Sequence, residues 1–396
     1  MTVPASPFPA FGGKSAVSEI VWARLGSVRN YVAPGYDGRR EIRMAYEEPF
    51  ANSLALLLAN PDYDWQRGRW LVDPPPIETV NDLDPFISNF WRALQHDPDG
   101  VADHADWPVS EADLHARHLW LVKQGESWFR DRMMEDPDFY DVKIAGWWVW
   151  GACQWIGSGW CALDYSRGAG RTREGGVEIK RPELQSGKGV HRLSLQRPEL
   201  NNRGNGIHRG AWQRAAGQAQ PDAGERDALH DYFYRLAERL RYVRVTCGDW
   251  SRVTGRSVTW NNTCARGSAS FTSIVLDPPY SASAGRKKDL YAEDDLDVAH
   301  QVREWCLEEI EDTNTGFAGP RYEHPRLRIV LFGYAAEHDH LIPDSWERIY
   351  WTANGGYSNQ NKAGNDNRTQ ETIWFSPNCI RPDDNRQRQL SLFGDD

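Results

Sequence analysis

The tetrapeptide Asp277-Pro278-Pro279-Tyr280 follows directly on the apolar run "FTSIVL". Proline fixes φ, lacks an N–H and pushes the preceding residue toward extended backbone. Asp277 and the Pro278 carbonyl are therefore expected as rigid acceptors beyond the end of a strand. Two convergent acceptors suit an exocyclic NH₂ group, which has two protons to donate. Tyr280 can stack on the ring bearing that amine, so the turn reads as a cradle for an aromatic amine. The chain holds its own control: "LVDPPPIE" also carries Asp-Pro-Pro, but without the aromatic and ahead of a strand, which reads as a rigid loop.

Other expected strand ends carry similar chemistry. Glu48 with Phe50, Asn81 with Asp82, and Asp249 with Trp250 each follow an apolar segment. An acid in such a place can accept ribose hydroxyls, as Asp82 could, and Phe50 and Trp250 could sandwich an adenine. Acids also cap helices, so their weight comes from occurring together. In open α/β sheets ligands sit beyond the carboxyl ends of the strands.

The elements that must hold these residues follow from patterning. "REIRMAYEEPFANSLALLL" predicts strand, turn and apolar helix. "IETV" predicts a strand and "PFISNFWRAL" a helix with Pro85 in its first turn. The rhythm lapses from about 100 to 231, then resumes with "ALHDYFYRLAERLRYVRVTCGDW", "FTSIVLDPPY", "DLDVAHQVREWCLEEIED", "RLRIVLFGY" and "QETIWFSP". The fold class expected is α/β, a Rossmann-like sheet broken by an insertion. The expected division is 1–99 and 232–380 for the sheet domain, 100–231 for the inserted region, and 381–396 for a flexible tail. The cluster "AGWWVWGACQWIGSGWC" reads as core packing in preference to base stacking.

Six cysteines without a Cys-x-x-Cys pair read as reduced and buried or idle. The pairs His115/His118 and His338/His340 lack matching partners, so they read as solvated histidines and no metal is expected. No apolar run reaches the ~20 residues of a membrane span. The N-terminus lacks a secretory layout, which places the chain in the cytoplasm. The net charge of −10 is uneven. Between Arg167 and Arg214 eleven basic residues face four acids, leaving that segment at +7 and the remainder at −17. Such a strip (Arg167, Arg171, Arg173, Lys180, Arg181, Lys188, Arg192 and Arg203 among its members) can bind a polyanion or be a solvated loop.

Together these residues resemble the Dam-like, α-order family of DNA adenine methyltransferases, over roughly 8–98 and 228–380. "PFPAFGGKSAV" is similar to its Gly-Gly-Lys motif, here Phe11, Gly12, Gly13 and Lys14. "EPFANSLALLL" resembles its Glu-Pro-Phe cofactor motif, and "TVNDLDPFISNFWRAL" its Asn-Asp motif. "VTCGDW" resembles its strand-end acid–aromatic pair, and "DPPY" its catalytic tetrapeptide. Asn52 stands where the family usually carries glycine. The resemblance implies S-adenosylmethionine as cofactor and double-stranded DNA as partner. It implies a flipped adenine amine as acceptor, Asp277 as its orienter, and the insertion as target-recognition region. Methylation of a cytosine amine or an RNA adenine, and a catalytically silent DNA-binding module, stay open as alternatives.

The tail "RQRQLSLFGDD" follows a Pro- and Asp-rich segment. Its "QLSLF" resembles the peptide by which bacterial replication proteins dock on the sliding clamp. Gln389 would make polar contacts there, with Leu390 beside it and Leu392 and Phe393 in an apolar pocket. That implies action at the bacterial nucleoid, on newly replicated DNA.

Overall fold

The computed structural model describes residues 6–8, 14–30, 42–108, 110–125, 128–155, 160–161, 171–174, 177–180, 225–259, 269–279, 297–315, 326–351 and 371–381. Seven strands form the main sheet: β1 (Ile42–Glu48), β4 (Ile77–Asp82), β7 (Arg244–Cys247), β8 (Ala269–Leu276), β9 (Arg326–Tyr334), β10 (Glu347–Trp351) and β11 (Glu371–Phe375). Two short hairpins lie outside it, β2 (Tyr63–Asp64) with β3 (Arg69–Trp70), and β5 (Arg171–Glu174) with β6 (Val177–Lys180).

The spatial order is β7-β4-β1-β8-β9-β11-β10. The first five strands run parallel, while β11 is antiparallel to both β9 and β10. Numbered by chain order within this sheet, the arrangement is 3-2-1-4-5-7-6. The direction of winding reverses between β1 and β8, and such a reversal opens a crevice at the carboxyl edge. The chain is thus an α/β protein with a mostly parallel, Rossmann-like sheet.

Both faces are covered, as a parallel sheet requires. Alternate residues divide between two cores. Met44, Tyr46, Phe271, Val275, Val330, Phe332, Ile373 and Phe375 enter the larger one, with α1 (Ser18–Leu25), α3 (Pro85–His96) and α8 (Glu225–Leu240). Ile274, Leu276, Ile329, Leu331 and Trp374 face α10 (Val298–Thr315) on the other side. α3 begins where its sequence says: Asp84 accepts the Phe86 N–H at 2.8 Å, and Pro85 occupies the first turn, where a missing N–H costs nothing.

The region from residue 98 is helical through α4 (Pro98–Ala105), α5 (Glu111–Gly125), α6 (Trp128–Glu135) and α7 (Val142–Gln154). Val101, Ala102, Phe129, Ile144 and Trp148 join the larger core, so these helices pack on the sheet domain through α3 and α8. Trp148, Trp150 and Trp155 are buried, in keeping with core packing. Among the described residues no helix is long and apolar enough to cross a membrane.

Candidate functional site

The end of β1 turns sharply. Asn52 has φ 42° and Leu54 φ 54°, both left-handed. Asparagine is the side chain that best tolerates this region, so the turn expected of a glycine forms without one. Two bonds pin it: the Asn52 N–H donates to Asp82 Oδ2 at 2.9 Å, and its carbonyl accepts from Trp91 Nε1 at 2.8 Å. Asp82 thus ties β4 to the β1 turn, and its Oδ1 accepts the Asp84 N–H at 2.9 Å. Burial pushes the Asp82 carboxyl up to about 6 against the pull of those N–H donors.

Glu48 is buried at the root of the same turn. Its Oε1 accepts from the Tyr46 hydroxyl and, at 2.7 Å, from the Leu57 N–H. Loss of solvent outweighs both bonds and raises its carboxyl to about 8, with Glu78 and Asp277 adding repulsion. Glu78 itself is held by Arg239, at 2.6 Å from each oxygen.

Asn81 joins three strand ends. Its Nδ2 donates to the carbonyls of Pro49 at 3.1 Å and Gly248 at 2.8 Å, while its Oδ1 accepts from Thr246 at 2.9 Å. This clamp sets Phe50, after β1, against Trp250, after β7. The two rings lie 26° from parallel with centroids 6.4 Å apart. Two stacking contacts of about 3.5 Å each need about 7 Å, more than this centroid separation, so a flat ring enters only if the pair opens. Asp249 is exposed, and its Oδ1 accepts the Ser251 N–H at 2.9 Å.

At the end of β8, Asp277 is half-buried, and Pro278 is buried behind it. Lys14 reaches Asp277 Oδ2 at 2.9 Å while its Nζ stands 4.6 Å from the centre of the Phe332 ring. Sequence reasoning placed both residues in the site without foreseeing this pair. It missed Glu371 altogether. Glu371 heads β11 opposite Tyr334, at the carboxyl edge of β9. It is 8% exposed, and its Oε2 has no hydrogen-bond partner among the described residues. Burial raises its carboxyl to about 7; Lys14 draws it down and Asp277 pushes it up.

The structure therefore brings Lys14, Glu48, Phe50, Asn52, Asp82, Asp249, Trp250, Asp277 and Pro278 to one edge of the sheet, with Pro279 directly following. Phe11, Gly12, Gly13 and Tyr280 lie outside the described residues, as do Arg167, Arg181, Lys188, Arg192 and Arg203 of the basic strip and residues 382–396 of the tail, with Gln389, Leu390, Leu392 and Phe393. Arg171 and Lys180 pair across the β5–β6 hairpin, which also carries Arg173.

The histidines need correction. His118 and His338 are buried, not solvated. His118 stacks on Trp155 with centroids 4.7 Å apart, and its Nδ1 accepts the Cys161 N–H at 3.4 Å. His338 lies edge-on to Trp374 beneath β9, and desolvation lowers its imidazole to about 3. The local signal was the spacing of His118 with Leu114 and Leu121, one face of a helix. Cys161, Cys247, Cys306 and Cys379 are free and buried. No group of three His, Cys, Asp or Glu side chains among the described residues could hold a metal ion. Compared with models of protein families and with curated proteins, the chain matches none.

Proposed function

We propose that the chain is a DNA adenine methyltransferase that uses S-adenosylmethionine and flips its target base. One observation carries the reading. The rigid acid of Asp277-Pro278-Pro279 stands beside the winding reversal, next to the Glu48 turn and at the same carboxyl edge as the Phe50–Trp250 pair. The antiparallel last strand between the fifth and sixth supports the methyltransferase sheet that the resemblance implies.

The residues present fit the cofactor. Phe50 and Trp250 would hold its adenine, Asp82 its ribose, and the buried acid Glu48 suits a cationic ligand, which relieves the charge its burial opposes. Bound there, the cofactor supplies an electrophilic methyl group. Asp277 accepts an N–H of the target amine, which returns lone-pair density from the ring to nitrogen. Lys14 pairs with Asp277 Oδ2 at 2.9 Å and fixes the carboxylate, which orients the amine and need not abstract a proton first. Methyl transfer leaves the nitrogen with one proton too many, and this passes to Asp277 or to water. Extruding the base costs a few kcal/mol, offset by stacking in the site. Arg171, Arg173, Lys180 and the rest of the strip would contact phosphates and base edges, and the "QLSLF" tail would tether the enzyme to the sliding clamp.

The silent-module alternative drew on Asn52, and the left-handed turn that Asn52 adopts removes the steric argument for it. Calorimetric titration with S-adenosylmethionine tests the reading. The wild type binds, and Phe50→Ala and Trp250→Ala each weaken binding roughly fivefold to a hundredfold, by about 1–3 kcal/mol per stacked ring. A wild type that binds no cofactor removes the reading.

A further inference from the structure

Two polar atoms at the carboxyl edge stand idle in the same row. Trp351 ends β10 and Glu371 begins β11 directly opposite it, while Tyr334 ends β9 on the other side of Glu371. Both the indole Nε1 of Trp351 and the Oε2 of Glu371 are buried without a hydrogen-bond partner among the described residues. A lost hydrogen bond at a buried group costs about 1–3 kcal/mol. One orphan could be tolerated as a packing defect; a donor and a carboxyl side by side point to a ligand that satisfies them.

Register shows which face they share. Glu371 alternates with Ile373 and Phe375, both in the larger core, as Asp277 does with Val275 and Phe271. Glu371 therefore lies on the Asp277 side of the sheet, and Lys14 and Asp277 both act on its charge. From Asp277 it is two strands across and two residues further out, roughly 12 Å between backbones by ordinary strand geometry. Lys14 Nζ stands between the two, 2.9 Å from Asp277 Oδ2 and 4.6 Å from the centre of the Phe332 ring on the intervening strand. The Phe50 and Trp250 rings lie in the opposite direction along the sheet, after β1 and β7, and pack with the core of the other face. This leaves the Glu371 side of Asp277 for the acceptor base, which would take the space that Lys14 Nζ occupies.

We propose that Glu371 and Trp351 read the target base. The carboxyl hydrogen of Glu371 and the indole N–H of Trp351 bond the acceptor nitrogens of the heterocycle whose amine Asp277 receives. The inference rests on the methyltransferase reading and deepens it. Adenine suits the arrangement, since its amine is flanked by ring nitrogens that only accept. Glu371 must be protonated to donate, and its burial favours that form near neutral pH. The groups facing it on this side are Lys14 from the N-terminal turn, Asp277 from β8, and Phe332 and Tyr334 from β9.

The test uses the full chain, S-adenosylmethionine and unmethylated bacterial genomic DNA, which offers every sequence context. Single-turnover methyl transfer is measured from pH 6 to 9 for wild type, Glu371→Gln, Glu371→Ala and Trp351→Phe, with cofactor affinity measured alongside. Wild-type rate falls as pH rises through about 7. Glu371→Gln, which keeps an N–H donor of the same size, flattens that limb. Glu371→Ala and Trp351→Phe each slow transfer roughly tenfold or more, while cofactor affinity stays within about twofold. Variants that match the wild type in rate and pH profile overturn the inference and leave the methyltransferase reading standing. Loss of cofactor affinity in Glu371→Ala or Glu371→Gln also overturns it, by assigning Glu371 to the cofactor or the fold. A wild type that binds cofactor and transfers no methyl group overturns both.

Discussion

Lys14 Nζ lies 2.9 Å from Asp277 Oδ2, so the N-terminal turn and the end of β8 share one charge pair at the carboxyl edge. Removing Asp277 deletes the acceptor proposed for the amine, and removing Lys14 leaves a half-buried carboxylate without this ion pair. Asp277→Ala is expected to lower methyl transfer by about a hundredfold or more while weakening cofactor binding less. Lys14→Met should cost less than Asp277→Ala. The double variant should be no slower than Asp277→Ala alone, because the two act as one unit. Single-turnover kinetics on the four proteins checks this; additive losses would separate the pair.

Asn52 holds φ 42° at the turn after β1. Glycine enters that region freely, whereas alanine pays about 1–2 kcal/mol there. Asn52→Gly should leave cofactor affinity unchanged or slightly improved, and Asn52→Ala should lower both thermal stability and affinity. Thermal unfolding and calorimetry on the two variants give the comparison, and equal behaviour would mean the turn tolerates strain elsewhere.

Glu47 is 1% exposed on β1, with neither carboxylate oxygen partnered among the described residues. Desolvation raises its carboxyl to about 8, and Arg244 only partly offsets this. The folded protein therefore holds the proton more tightly than the unfolded chain. Its contribution to stability is full below the ordinary value of 4.5 and is lost as pH rises through about 8. Glu47→Gln carries no such dependence. Its melting temperature relative to wild type should climb between pH 5 and 8.5, by an amount on the order of a few kcal/mol in stability. A difference that does not change with pH would contradict this.

Deleting residues 388–396 is expected to leave methylation of short duplexes intact while abolishing binding to an immobilised sliding clamp. Undiminished clamp binding by the truncated protein would discard the role given to Gln389, Leu392 and Phe393.

How much of this was legible in the sequence depended on whether the cause was local. Apolar runs ending in Glu48, Asp82, Cys247 and Leu276 announced parallel strands, and Asp84-Pro85 announced the start of α3, because pattern and capping act within a few residues. The left-handed turn at Asn52 could be read for the same reason. The Lys14–Asp277 pair could not, since it depends on which strand the N-terminal turn crosses. Glu371 heads a strand that the sequence shows plainly, "QETIWFSP", yet an acid in that place looks like a solvated terminus until β11 is known to run antiparallel beside β9. His118 and His338 failed as surface residues because Trp155 and Trp374, which cover them, lie far along the chain.

The most direct measurement is base-resolved sequencing of modified nucleotides in DNA from cells expressing the wild type or Asp277→Ala. The account predicts N6-methyladenine in one defined sequence context with the wild type and its absence with the variant. Unmodified DNA from both, or equal modification in both, would contradict it.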